Sequence, residues 1–204
     1  FVLTLVLILR LNFKQGNYIP ELQDPSFIEL IEINIPKSAK YAKNGMRVIT
    51  SKSENIPPKL KKTFGADVVV HHQFGRCVYK GNVRQHGDWK DHIKFADGGK
   101  LIRSLNVKMR SGNILSSVRF KLLIPGTRNS ENEILASLLL KRLNFISPDT
   151  IAVKTKINNV YSVMLFQESA RKELLEKNKR RESALFEGDE QVIWSYENFK
   201  LFEL

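Results

Sequence analysis

Cysteine is almost missing: Cys77 is the only one in 204 residues. A lone thiol excludes an intramolecular disulfide and a zinc site built on several cysteines. In the strand-like run RCVYKG it reads as a small buried residue, not a reactive one. Acidic residues are also scarce, 21 against 33 Lys and Arg, which leaves a formal net charge of +12. That balance favours anionic partners such as nucleotides, nucleic acid, acidic polymers or lipid head groups, without choosing among them. No glycine-rich run is present, so a phosphate loop of the familiar multi-glycine kind is excluded. Basic strands interleaved with aromatics are missing too, which argues against a surface that stacks nucleic-acid bases. The longest apolar run, FVLTLVLIL, is too short for a bilayer, which needs about 20 apolar residues.

What is present belongs to a globular chain. Hydrophobic residues make up 42% and charged residues 26%, enough for a real core. The length suits one ordinary domain with an appendage. There is no internal repeat and no low-complexity tract. The opening FVLTLVLILRLNF is expected to be the tail of a signal anchor or signal peptide, with a buried strand as the alternative. A polar linker, KQGNYIPELQDPS, follows it. Because the chain starts at Phe1 and stops after YENFKLFEL, a fragment of a longer reading frame is expected.

Periodicity places the elements. FIELIEINIP alternates apolar and acidic residues like a strand, and NGMRVIT reads as a turn and a strand. IPPKLKKTFG suggests a short helix stopped by Gly65. ADVVVHHQFG and RCVYKGNVRQHG are strands split at Phe74-Gly75. GDWKDHIKFADGGK reads as a polar loop. LIRSLNVKMR and LSSVRFKLLIPG form a hairpin around Ser111-Gly112-Asn113. A helix is expected from about Glu131 to Leu143, with Ile134, Leu135, Leu138, Leu139 and Leu143 as its buried face. Ser130 and Glu133 match a capping box at its start. DTIAVKTKINN and VYSVMLFQE are strands joined at Asn158-Asn159. A charged, largely solvated helix, SARKELLEKNKRRE, follows, then a short strand and turn in SALFEGDE. The expected class is α+β: one antiparallel sheet with one apolar helix packed on it. Three regions are expected: residues 1–26 as anchor and linker, 27–65 as an extension of uncertain kind, and 66–204 as the main unit.

Several constellations carry chemistry. Arg84, His86 and Asp88 in RQHGD can line a phosphate loop, with Gly87 allowing close backbone approach. His86 alone is more simply an exposed turn histidine than a general base. His71 and His72 point to opposite faces of a strand and cannot share a metal ion. His92 lies four residues after Asp88, but no third ligand is placed, so no metal site is expected. Arg128, in IPGTRNSENEI, has no capping duty and stands free for a ligand.

The segments NVRQHGDW, SLNVKMR, TRNSENEILASLLLKRLNFISP, IAVKTKINNVYSVMLFQE and ALFEGDE together resemble the spore-coat-protein-H (CotH) kinase-like family, from about Val83 to Glu190. The resemblance implies the small lobe of a protein-kinase-like fold, ATP with magnesium as cofactors, and phosphoryl transfer to a protein. It implies Lys108 as the first choice for contacting nucleotide phosphates, with Lys121 as the competing lysine. Arg84, Gly87 and Arg128 match family positions, although Asn159 stands where the family commonly has Gly. Glu168 ends the strand where the nucleotide base would lie. The helix has no glutamate in its middle to pair with the lysine. The catalytic carboxylates are expected beyond Leu204, because Asp189 and Glu190 come too early in the order, so the chain alone is expected to be inactive. The implied setting is a membrane-anchored or exported bacterial protein. The alternatives are a non-catalytic cell-surface or coat protein with the same fold, and a nucleic-acid-binding module.

Overall fold

The computed structural model describes Asp24 and residues 27–185. The expected anchor and the C-terminal run from residue 186 fall outside the described residues. The elements in chain order are β1 Ile28–Asn34, α1 Ser38–Ile49, β2 Thr63–His72, β3 Gly75–Gln85, β4 Ile93–Phe95, β5 Leu101–Arg103, β6 Leu105–Met109, β7 Arg119–Leu123, α2 Glu131–Arg142, β8 Thr150–Ile157, β9 Val160–Glu168 and α3 Lys172–Lys177.

Seven strands close into a barrel in the order β1-β2-β3-β6-β7-β9-β8. Neighbours are antiparallel except β1 and β8, whose parallel pairing closes the ring. The two-residue period of the strands sends alternate side chains inward. Ile31, Ile33, Val68, Val83, Leu105, Val107, Phe120, Leu122, Met164 and Phe166 fill the interior, each at most 2% exposed. Phe120 and Phe166 stack there with centroids 4.7 Å apart. The small β4-β5 hairpin stands apart as its own sheet.

The barrel corrects the expected α+β class and the kinase-like small lobe. An open sheet needs a second layer against its apolar face, whereas a closed one fills its interior with its own side chains. The apolar helix therefore has no slot to fill. Along α2 Leu135, Leu138 and Leu139, and at its C-cap Leu143, are 65%, 55%, 56% and 57% exposed. Ser137 is the buried residue of this helix, and its hydroxyl donates to the Pro148 carbonyl at 2.5 Å. The capping box does not form either. Ser130 has φ 54° and makes no side-chain cap bond, and the Glu133 carboxylate accepts from Gln167 Nε2 at 2.5 Å.

The stretch expected as a turn and strand, NGMRVIT, lies mostly in α1. Tyr41, Asn44, Gly45 and Val48 form its buried face at helical spacing. That face grips Arg103, which is only 1% exposed. The guanidinium donates to Gln85 Oε1 at 2.7 Å, the Tyr41 carbonyl at 3.1 Å and Asn44 Oδ1 at 2.9 Å. It also lies 4.4 Å from the centroid of the Tyr41 ring. A buried cation is tolerable only when its donors are this well used.

LIRSLNVKMR is two strands, β5 and β6, broken at Ser104, and the expected polar loop before it holds β4. The charged helix is short, confined to α3. The turn at Asn158-Asn159 forms as expected, with φ 43° and 65°, the left-handed pair that a two-residue hairpin requires. Among the described residues, no helix is long and apolar enough to cross a membrane.

Candidate anion-binding cleft

Register alone assembles the site. Asn82 of β3 pairs with Lys108 of β6, and Lys108 pairs with Arg119 of β7. One step along, Arg84 pairs with Asn106, and Asn106 with Lys121. Directly opposed residues share a face, as do residues two apart. Val83, Val107 and Phe120 point inward, so these six point outward. Just past β9, the Ser169 amide donates to the Arg119 carbonyl at 3.1 Å, which brings Arg171 and Lys172 to the same face.

The result is a cleft of about 760 Å³. Arg84, Lys108, Arg119, Lys121, Arg171 and Lys172 line it together with His86, and among the described residues none that lines it is acidic. Lys108 and Arg119 are directly opposed. Like charges in that position destabilise a sheet. Arg84 is steered by a bond from Nε to the Lys61 carbonyl at 2.9 Å.

His86 sits at the edge of the cleft. Its Nδ1 lies 3.1 Å from Asn106 Oδ1, and its ring meets His92 edge-on at 5.1 Å between centroids. Burial, then the charges of Lys121, His92 and Arg128, push its pKa down to about 4. The imidazole is therefore neutral at physiological pH.

The six sequence candidates divide. Lys108, Lys121 and Arg84 converge in the cleft. Gly87 has φ +85°, and a Cβ there would come within 1.8 Å of His92 Cδ2. Its role in the fold is to admit the His92 ring. Arg128 ends a 3-10 turn, Pro125–Arg128. Its Nε is buried with no hydrogen-bond partner, and its charge acts on both His86 and His92.

Glu168 lies elsewhere. It continues the inward series of Met164 and Phe166, is 2% exposed, and lines a separate cleft of about 610 Å³ with Lys141, Asp149 and Lys177. Lys141 and Lys177 both pair with Asp149, and Lys177 Nζ is 3.7 Å from Glu168 Oε2. Burial raises the Glu168 carboxyl to about 7, partly offset by Ser117 and the Lys141 charge.

Sequence reasoning missed Arg119, Arg171 and Lys172. Arg119 becomes visible once the β6-β7 hairpin is registered residue by residue. Arg171 and Lys172 sit in the charged stretch SARKELLEKNKRRE, where they read as part of a largely solvated helix. His71 and His72 do point apart: His71 Nε2 is 3.1 Å from Glu32 Oε2, while His72 stacks on Phe74 at 5.6 Å. Among the described residues, no three His, Cys, Asp or Glu side chains gather as a metal site requires. No protein-family model matches the chain, and no curated protein matches it.

Proposed function

We propose that the cleft binds the phosphate groups of an anionic ligand, with a nucleoside triphosphate as the ligand class implied by the CotH resemblance. The observation that carries this reading is the opposed Lys108–Arg119 pair, flanked by four more cations and, among the described residues, by no lining carboxylate. A fold retains such a local conflict where it serves a ligand. Lysine supplies a point charge to a phosphate oxygen, and arginine supplies a fork of donors.

The reading rests on the cleft and not on a kinase-like lobe, which the barrel replaces. The cleft residues fit a triphosphate. They do not fit magnesium, because none of the described lining residues is a carboxylate, and no step through the metal is assigned. If the parent protein transfers phosphoryl groups to a protein, the part of this chain is to hold phosphate. Among the described residues the aromatic at the cleft, Phe120, is buried and offers no face for base stacking, which favours a phosphate-rich small ligand over a single nucleic-acid strand.

The test is isothermal titration with inorganic triphosphate and with ATP at low and physiological salt. Lys108→Glu and Arg119→Glu should each weaken triphosphate binding by tenfold or more and flatten its salt dependence. Equal binding by the charge-reversed variants would refute the site. Stronger retention of an oligonucleotide, with a steep salt slope lost in the same variants, would move the assignment to nucleic acid.

A further inference from the structure

Among the described residues lining the cleft His86 is the one histidine, and it lies among fixed cations. Asn106 Oδ1 can only accept, so at 3.1 Å it holds the hydrogen on Nδ1 and leaves Nε2 as the atom open to a further proton. The groups that face this imidazole come from four neighbouring segments. Asn106 lies on β6, Lys121 on β7, Arg128 on the turn after β7, and His92 on the short turn before β4. Asp88, two residues along its own loop, is paired with Lys61. The nearby cations outnumber the one carboxylate, and that carboxylate is already engaged.

An empty cleft of this kind disfavours a further positive charge. An anion in the cleft reverses the balance, because it offsets Lys121 and its neighbours and gives an imidazolium a direct partner. We infer that the phosphate-bearing ligand is taken up together with one proton, carried on His86 Nε2. This deepens the anion-binding reading above and rests on it. The proton comes from solvent and returns there when the ligand leaves, and no covalent bond changes. His86 is a binding residue whose charge state is set by occupancy, so ligand affinity and pH are linked in both directions.

The size follows from linkage. With His86 held down near 4 in the empty cleft and restored by the ligand to its ordinary value of about 6.5, affinity should be about tenfold higher at pH 5.5 than at pH 7.5 from this group alone. The effect belongs to the site and adds to whatever protons the ligand itself binds.

The experiment titrates inorganic triphosphate into the full chain and into His86→Gln, between pH 5.5 and 7.5, in two buffers of different ionisation enthalpy. The difference between the two proteins removes the titration of the probe. The expected result is proton uptake on binding that is larger in the wild-type chain. In parallel, the His86 Cε1 proton resonance should titrate at higher pH when triphosphate is present, a readout that needs no variant. Equal uptake in both proteins, or a His86 resonance unmoved by saturating triphosphate, overturns the proton coupling and leaves the cleft assignment standing. If neither protein binds triphosphate at any pH, the cleft assignment fails and the coupling fails with it.

Discussion

Glu168→Gln should expose a cancellation between two buried groups that pull stability in opposite directions with pH. The Glu168 carboxyl ordinarily titrates near 4.5 and is raised to about 7 by burial. Between those values the native state holds a proton that the unfolded state has released. Stability from this group is complete below pH 4.5 and is lost as pH rises toward 7, by about 3 kcal/mol in all. His86 behaves inversely. Its ordinary value is 6.5 and its native value about 4, so between these the unfolded state binds the proton. Its contribution is complete above pH 6.5 and is lost as pH falls to 4, again by about 3 kcal/mol. His72 and His92 are lowered in the same direction, mainly by burial.

From pH 4.5 to 6.5 the two slopes oppose, and the wild-type chain should vary little on their account. In Glu168→Gln the falling limb disappears. Urea denaturation at half-unit intervals should then show the variant gaining about 1.4 kcal/mol per pH unit on the wild type across that range. The variant should match the wild type near pH 4.5 and exceed it by up to about 3 kcal/mol at pH 8. All other titrating groups are common to both proteins and drop out of the difference. A difference that stays constant from pH 4.5 to 8 would refute the reasoning, because it would mean that the buried carboxyl ionises as it does in water.

Arg103→Ala should destabilise by about 3 kcal/mol or more, since it strands Gln85 and Asn44 and releases α1. Arg103→Lys should recover less than half of that loss in the same urea measurement, because an ammonium lacks the fork. Leu122→Ala, inside the barrel, should cost about 2–5 kcal/mol, whereas Leu139→Ala, on the outward face of α2, should stay within about 0.5 kcal/mol; thermal melts of the pair decide whether α2 is truly unpacked. Gly87→Ala should lose more than about 1 kcal/mol through its positive φ, and the imidazole resonances of both His86 and His92 should shift as the latter ring is displaced.

Local chemistry was legible in the sequence and long-range closure was not. β2, β3, β8 and β9 follow from alternation and from turn residues whose geometry few other side chains accept, Asn158-Asn159 above all. The helix at α2 was placed correctly, but its leucines were turned the wrong way. Periodicity reports that a helix has an apolar stripe, not whether anything lies against it. α1 was obscured by Asn44-Gly45, a turn signal in most contexts. Here Asn44 accepts from Arg103, and Gly45 makes room for the Leu101 side chain, 2.9 Å from where a Cβ would stand. Arg103 itself gave no sign, since an arginine in a strand is ordinarily exposed. In the cleft, Arg84, Lys108 and Lys121 were each found singly. Their convergence with Arg119 depends on which residue of β6 faces which residue of β7, and the irregular turn through Leu115 and Ser116, both at positive φ, hides that register.

The parallel seam between β1 and β8 also governs how the chain comes to be folded. Across it, Lys156 Nζ reaches Glu32 Oε1 at 2.8 Å over 124 positions of sequence. During synthesis, β1 can pair with β2 at once, but its other edge waits until β8 has been made. Such distant contacts come late and slow the search, and an unpaired edge meanwhile offers a template to any neighbouring strand. Ring closure is thus the step at which a nascent chain passes from a sticky open sheet to an edgeless one, and conditions that delay it, such as crowded expression or chain interruption before residue 157, should divert this protein into aggregates without altering the stability of the finished fold.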